Sequence, residues 1–237
     1  MTKFIAIMSG KGGVGKTTTS INLSYAAAKK GADVILVEGN LSAPNLSLHL
    51  GNSIFPITLH DVLASKKSIH DAIHKHDSGV KLIPADTSIE AMKFVDFEKL
   101  SYHLQDLNFK TDYVFIDGSP GLGRESVQLI ALADELIIVT HADMVSVRDA
   151  MRVISMAEKL NKLIAGIVVS HYQNKSHELS ISRIENLTNQ RVIAVIPHCN
   201  KFQESILKKQ PYAHVYPKKE SSKKYYELAS LITGRVL

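Results

Sequence analysis

The sequence predicts an α/β fold, a doubly wound and mostly parallel sheet with helices on both faces. Short apolar runs alternate with amphipathic stretches along the 237 residues, a pattern typical of βαβ units. Several apolar runs lack polar alternation, as expected of strands that helices cover on both sides. The segment Gly10 to Thr17 reads Gly-Lys-Gly-Gly-Val-Gly-Lys-Thr and matches a phosphate-binding loop at every fixed position. Residues 1–237 show no linker, repeat or low-complexity segment, so we expect a single domain.

Each element follows from a local pattern. The first strand is the apolar run Phe4 to Met8, and the glycine-rich loop separates it from a helix-compatible run that starts at Thr17. Asp143 or Ser146 is expected to cap a later helix. The predicted strands are 3–8, 33–37, 80–84, 112–117, 135–140, 163–169 and 192–196. The predicted helices are 17–30, 58–65, 97–107, 123–133, 145–161, 177–188, 200–208 and 221–233.

The glycine-rich loop predicts a nucleoside triphosphate site. Its glycines let the backbone turn N–H groups toward phosphate oxygens, and the start of the next helix adds partial positive charge. We expect Lys16 to contact the β- and γ-phosphates and the Thr17 hydroxyl to ligate Mg²⁺. An ordinary glycine turn is the weaker alternative, because the motif and its strand–helix context coincide. The predicted nucleotide contacts are Gly10, Lys11, Gly12, Gly13, Val14, Gly15, Lys16, Thr17 and Thr18.

A second group lies at the end of another predicted strand. Asp117 closes the apolar run Tyr113 to Ile116, and ligands of doubly wound sheets bind beyond the carboxyl ends of strands. An acid at this place in a P-loop protein usually holds Mg²⁺ through water. The alternative is an aspartate that merely starts a turn before Gly118.

The loop also carries a family signature. Lys11 to Thr18 read Lys-Gly-Gly-Val-Gly-Lys-Thr-Thr, which resembles the deviant Walker A loop of the MinD/ParA family of P-loop ATPases. Shorter stretches at 58–63, 146–150 and 195–197 also look like family segments, so the resemblance covers nearly the whole chain. It implies an ATP-bound homodimer in which Lys11 reaches the nucleotide of the partner. It also implies that Asn45 lies near the dimer interface.

The chain departs from the family pattern after the second strand. Family members show an Asp-x-Asp pair there, whose second aspartate positions the attacking water, whereas this chain has Glu38-Gly39-Asn40. An asparagine can orient water but cannot take a proton, and a general base typically contributes roughly 10²–10⁴-fold. We therefore expect ATP binding with slow hydrolysis. The resemblance gives Lys11, Lys16 and Asn40 as catalytic candidates and Thr17, Glu38 and Asp117 as Mg²⁺ contacts.

Two further segments differ from the family. Gly118 to Leu122 resemble the segment that senses the γ-phosphate, but the proline stands at position 120, one residue later than usual, and shifts the φ constraint. Near the base, Pro197 follows the family and Ser170 replaces an asparagine. A hydroxyl must donate and accept from a single atom, so the choice between adenine and guanine stays open.

Composition bears on location and partners. The chain has one cysteine, Cys199, and no apolar run long enough to span a membrane, so we expect a cytoplasmic protein. The apolar face of the last helix should dock on the domain; after residue 233 only 234–237 follow, so membrane binding would need a partner. That face is Tyr225, Leu228, Ala229, Leu231 and Ile232.

Two polar clusters have ordinary explanations. His60, His70, His74 and His76 are more consistent with a solvated surface than with a metal site. Between 201 and 224, lysines outnumber acids, which would permit DNA or anionic membrane contact, but a solvated face is preferred. Those lysines are 201, 208, 209, 218, 219, 223 and 224, and the acids are Glu204 and Glu220.

The resemblance implies an ATP-switched homodimer that positions or recruits other cell components through a protein partner. MinD-type proteins that lack a membrane-targeting tail are the most similar family members. One alternative is a nucleotide-binding scaffold that does not hydrolyse ATP, and another is a ParA-like DNA-partitioning ATPase. Maturation of metal clusters is disfavoured because Cys199 offers one thiolate per chain.

Overall fold

A computed structural model describes residues 1–51, 55–64, 67–92 and 96–235. Within these ranges, eight strands form one sheet in the order β3-β4-β2-β5-β1-β6-β7-β8, and every neighbouring pair is parallel except β3 with β4. The strands are β1 Lys3–Ser9, β2 Val34–Glu38, β3 His74–Lys75, β4 Lys81–Ile83, β5 Tyr113–Pro120, β6 Glu135–Thr140, β7 Leu163–Tyr172 and β8 Val192–Pro197. All seven predicted strands are present.

Helices lie on both sides of this sheet. They are α1 Lys16–Lys29, α2 Leu46–Leu50, α3 Leu59–Leu63, α4 Ile89–Met92, α5 Lys99–Gln105, α6 Arg124–Leu132, α7 Met144–Lys159, α8 Ile181–Thr188, α9 Lys201–Leu207, α10 Tyr212–Val215 and α11 Glu220–Thr233, with a 3-10 helix at Ile69–Ala72. Within the described ranges, none of them has the length and hydropathy needed to cross a bilayer.

Alternate side chains of β1 enter two separate cores. Phe4, Ala6 and Met8 pack with α3, α5, α6, α7 and α8, whereas Ile5 and Ile7 pack on the other face with α1, α10 and α11. A strand with helices on both faces must be apolar at every position, which explains the unbroken apolar run. The predicted doubly wound class is confirmed.

Four short helical segments and β3 were not predicted. They span two to five residues, too few for a periodic pattern to identify, and β3 is polar. The prediction of a helix from 177 was wrong at its start, because α8 begins at Ile181 after Ser180, whose hydroxyl accepts the Arg183 N–H. Of the two proposed caps for α7, Asp143 is the one, since its carboxylate accepts the Ser146 N–H at 2.9 Å.

The last helix docks as predicted, with one exception. Tyr225, Leu228 and Ala229 are buried against α1 and β8, and Ile232 is partly buried. Leu231 is 55% exposed, so its assignment to the docking face was wrong. The helix turns 100° per residue, and residue 231 falls on the outer side.

The histidine segment is less solvated than predicted. His60 and His76 are buried, and each makes hydrogen bonds to backbone groups: His60 Nδ1 accepts the Asp86 N–H, and His76 Nε2 contacts the Leu50 carbonyl. His70 lies in the 3-10 helix and His74 in β3, so these two do not share a helix face. The basic region is mostly exposed, and Lys201 and Lys208 both pair with Glu204.

Candidate functional site

The glycine-rich loop runs from the end of β1 at Ser9 to the start of α1 at Lys16. Gly13 and Gly15 have φ values of 80° and 83°, in the left-handed region that a residue with a Cβ rarely adopts. The loop borders a cavity of about 290 Å³. Its lining residues are Ser9, Lys11, Gly12, Gly13, Gly15, Lys16, Thr17, Thr18, Asn40, Asn45, His49, Pro120 and His171. The structure thus brings together residues from the ends of β1, β2, β5 and β7, as a doubly wound sheet should.

Gly10 fixes the loop against α7. A Cβ built on Gly10 would lie 2.1 Å from the carbonyl carbon of Asp149 and 2.2 Å from its oxygen. Only a residue without a side chain permits this approach of two backbones. Gly10 therefore packs on α7, and its predicted contact with phosphate stays a prediction.

Lys16 and Asp117 form a buried pair beneath the cavity. Lys16 Nζ lies 3.4 Å from Asp117 Oδ1, and the Ser20 hydroxyl donates to the same oxygen at 2.9 Å. Asp117 Oδ2 is buried without a hydrogen-bond partner among the described residues. Sequence reasoning missed Ser20, although it stands four residues after Lys16 and so shares its helix face.

The orphaned oxygen of Asp117 suits a magnesium ion or one of its waters. Mg²⁺ prefers oxygen ligands and usually retains several waters. Thr17, the other predicted ligand, lines the same cavity. The residues present therefore fit Mg²⁺, which would neutralise charge on the phosphates when bound.

Glu38 lies beside Asp117 in the register of β2 with β5 and is fully buried. Its Oε2 accepts the N–H groups of Asn45 at 2.6 Å and Leu46 at 2.9 Å, and its Oε1 accepts that of Asn40 at 3.1 Å. Burial raises the pKa of Glu38, as does the charge of Asp117, while the three N–H groups lower it. Glu38 thus holds the chain after β2 in place; its contact with Mg²⁺ stays a prediction.

Asn40 borders the cavity and is buried. Its Nδ2 donates to the Ala43 carbonyl at 2.6 Å. Its Oδ1 has no hydrogen-bond partner in the described part of the chain, so that oxygen can accept a hydrogen bond from water. The amide can orient a nucleophile there but cannot remove its proton.

Lys11 differs from Lys16 in its surroundings. It is exposed at the mouth of the cavity and makes no ion pair with any described residue. Behind it, the Ser9 hydroxyl donates to the Lys11 carbonyl at 3.0 Å and anchors the backbone. Its side chain is therefore free to reach outward.

The segment after Asp117 adjoins the loop. Pro120 pairs with Ser9 in the register of β5 with β1, and the Gly121 N–H donates to the Ser9 carbonyl at 2.9 Å. Ser119 is buried, and its hydroxyl lies 2.8 Å from that of Ser126 on α6. A conformational change in the segment after Asp117 would therefore move the residues that begin the glycine-rich loop.

On the side of β7, the structure places Ser170 beneath the loop. Its hydroxyl donates to the Val14 carbonyl at 2.5 Å, which commits its only hydrogen. Pro197 ends β8, and its carbonyl accepts the Ser221 hydroxyl. Neither side chain lines the cavity, and contact of either with a base stays a prediction.

His171 lines the cavity on this side instead. It has φ 56° and stacks on His141 with ring centroids 5.1 Å apart. Burial lowers the pKa of His171, and so do His141 and His198 nearby. The sequence shows this histidine beside Ser170, but only the backbone conformation reveals that it faces the loop.

Fold and site together define a P-loop protein of the doubly wound α/β class. A family model described as an AAA domain matches residues 2–169, and the septum site-determining protein MinD of Synechocystis sp. is 33% identical over 220 residues, 89% of this chain and 82% of the relative. The chain belongs to the MinD/ParA family of P-loop ATPases.

Other relatives agree with this assignment. An uncharacterized ATP-binding protein of Methanocaldococcus jannaschii is 36% identical over 230 residues, 97% of this chain and 87% of the relative. A family model for 4Fe-4S iron sulfur cluster binding proteins, NifH/frxC family, matches residues 103–236. Such a cluster uses four cysteine thiolates, whereas Cys199 is the one cysteine of the sequence.

Solved structures show the same architecture. The cell division ATPase MinD of Pyrococcus furiosus superimposes with a TM-score of 0.94 and 31% identity, covering 100% of both chains. MinD of Pyrococcus horikoshii complexed with Mg-ADP gives 0.93 and 31%, covering 98% of this chain and 96% of that one. The MinC:MinD cell division complex of Aquifex aeolicus gives 0.89 and 26%, covering 99% and 97%.

Proposed function

We propose that this protein binds ATP with Mg²⁺, forms a homodimer in the ATP-bound state, and in that state recruits or positions another component of the cell. Slow hydrolysis of ATP would return it to the monomer. The family assignment and the Mg-ADP complex of a 31% identical relative support nucleotide binding. The MinC:MinD complex of another relative supports a protein partner.

The observation that carries the dimer is the contrast between the two lysines of the loop. Lys16 is buried and paired with Asp117, whereas Lys11 is exposed at the cavity mouth. Lys16 already supplies a cation for the phosphates of the nucleotide bound by its own chain. The exposed one is therefore available to a phosphate bound by a second copy, and a charge-assisted contact of this kind would exist only with nucleotide present.

The experiment is a measurement of mass in solution without nucleotide and with ADP, ATP and a non-hydrolysable ATP analogue. We expect the mass to double with ATP or the analogue and with neither ADP nor buffer. Lys11→Ala should abolish the doubling while binding of ATP persists, because the lost contact lies across the interface. Lys110→Ala is the matched control, an exposed lysine just before β5 and outside the cavity. A monomer under all conditions would refute the dimer.

Asn40 makes a separate prediction about turnover. Asn40→Asp adds a proton acceptor at the cavity wall, so we expect phosphate release at saturating ATP to rise by about tenfold or more. Affinity for ATP should change little, which calorimetry checks. An unchanged rate would show that the residue at position 40 does not limit hydrolysis.

A scaffold that binds ATP without turnover is the second candidate. Both oxygens of Glu38 are committed to backbone N–H groups and Asn40 cannot take a proton, which favours weak hydrolysis. Tight binding and ATP-dependent doubling in mass, with no phosphate release above background, would select the scaffold.

A further inference from the structure

His49 faces the nucleotide cavity from α2. It stands four residues after Asn45, so the two side chains share a helix face, and both line the cavity together with Asn40 and Lys16. Lys16 is the predicted contact of the β- and γ-phosphates, and Asn40 is the residue predicted to orient water; both line the same cavity as His49. A histidine is thus present on the wall of the cavity that holds these two residues.

The short helix that carries His49 is held at both ends. At its start, Glu38 Oε2 accepts the N–H groups of Asn45 and Leu46. At its end, His76 Nε2 contacts the Leu50 carbonyl at 3.1 Å, and Lys209 Nζ donates to the Gly51 carbonyl at 3.3 Å. A five-residue helix is not stable alone, so these contacts fix the direction in which its side chains point.

The His49 ring is suited to accept a proton. Neither ring nitrogen has a hydrogen-bond partner among the residues that the structure describes. Burial lowers the pKa of His49 from its ordinary 6.5, Asp117 raises it, and Lys16 lowers it, with the net shift downward. The ring is therefore neutral at pH 7. The other charged or titratable groups on the elements around α2 are Glu38 on β2, His76 in the turn after β3, Lys11 in the loop, and Lys201, Glu204, Lys208 and Lys209 on and after α9.

We propose that the His49 imidazole accepts the proton of the water that attacks the γ-phosphate, a reaction step in which the Asn40 amide can only orient that water. The water oxygen forms a bond to the γ-phosphorus. The bond from that phosphorus to the β–γ bridging oxygen breaks, and its electron pair stays on the ADP. The proton passes from water to a ring nitrogen of His49 and then to solvent as the products leave. Glu38 acts here as a positioning residue, because it anchors the helix on which His49 stands. This inference rests on the proposed hydrolysis of ATP.

The test compares His49→Asn with His70→Asn, an exposed histidine of the 3-10 helix outside the cavity. We expect His49→Asn to lower kcat on the order of 10²-fold, with Kd for Mg-ATP unchanged within about twofold, since the proton acceptor is lost and the loop is kept. In the unmodified protein, kcat should be flat around neutral pH and fall at a pH below the ordinary histidine pKa of 6.5, because the pKa of His49 is lowered and only the neutral ring accepts a proton. This acid limb should vanish in His49→Asn and persist in His70→Asn.

Two further measurements do not depend on turnover by the unmodified site. In nucleotide-free protein, NMR titration of the ring resonances should place the His49 midpoint below the ordinary histidine pKa of 6.5, and Mg-ATP should shift the His49 signals. In the Asn40→Asp background, His49→Asn should lower kcat by less, because the new carboxylate offers a second acceptor.

The outcomes separate the two proposals. Phosphate release unchanged by His49→Asn, or an acid limb that survives it, would overturn the assignment of His49 and leave the proposed ATPase standing. A parallel loss of kcat and ATP affinity would show a structural contribution only and would likewise overturn it. Unmodified protein that binds Mg-ATP and releases no phosphate would overturn both.

Discussion

Lys16→Ala should weaken the binding of Mg-ATP by at least about 30-fold and abolish phosphate release. The side chain is buried within 3.4 Å of Asp117, at the base of the cavity that the loop encloses. Truncating one partner of a buried, hydrogen-bonded charge pair typically costs about 2–5 kcal/mol of binding free energy. In Lys16→Ala the phosphates also lose the lysine cation. Isothermal calorimetry measures the affinity directly.

Lys29→Ala is the matched control for that loss. Lys29 belongs to the same helix but lies exposed at its far end, with Nζ 5.5 Å from the centroid of the Tyr25 ring. We expect its ATP affinity to equal that of the unmodified protein. If Lys16→Ala binds as tightly as Lys29→Ala, the loop is not the phosphate site.

Gly10→Ala should destabilise the folded protein by about 3 kcal/mol or more. The added Cβ would stand 2.1 Å from the carbonyl carbon of Asp149, and backbone cannot rotate away as a side chain can. Overpacking usually costs about 1–3 kcal/mol, and this contact belongs at the upper end. In a chain of this size that corresponds to a fall in Tm of roughly 6–12 °C.

Gly12→Ala tests the same loop without the clash. A Cβ at Gly12 meets no atom within 4 Å, and its φ is not in the left-handed region. Its Tm should therefore stay close to that of the unmodified protein. Equal Tm values for the two alanine variants would show that the loop does not pack on α7 as described.

The sheet was predictable because its strands are apolar on both faces. The side chains of β1 from Phe4 to Met8 pack alternately into two cores, so no polar residue interrupts the run. An unbroken apolar run of this kind can be recognised in the sequence. The strand β3 and the helix α2 are too short to show a period, and contacts such as that between His76 and Leu50 determine where they lie. Local sequence does not encode such long-range contacts.

The motif and the strand order predict the residues at the base of the cavity, but they do not predict the residues around it. Lys16 begins the helix that follows β1, and Asp117 lies in the C-terminal half of β5; because β1 and β5 adjoin in the sheet, the two residues come close together. The start of α2, the helix of His49, is held by the hydrogen bond from the Asn45 N–H to the Glu38 carboxylate. Ser170 lies beneath the loop, where its hydroxyl donates to the Val14 carbonyl. These arrangements depend on the path of irregular backbone, which residue types alone do not specify.

Calorimetric titration of the nucleotide-free protein with ATP in the presence of magnesium is the decisive measurement for the proposed nucleotide site. The structure predicts one nucleotide per chain, with affinity that falls when magnesium is removed, because the buried carboxylate of Asp117 then has no cation to share with the phosphates. Absence of binding heat with both adenine and guanine triphosphates, confirmed by an unchanged Tm at saturating nucleotide, would contradict it.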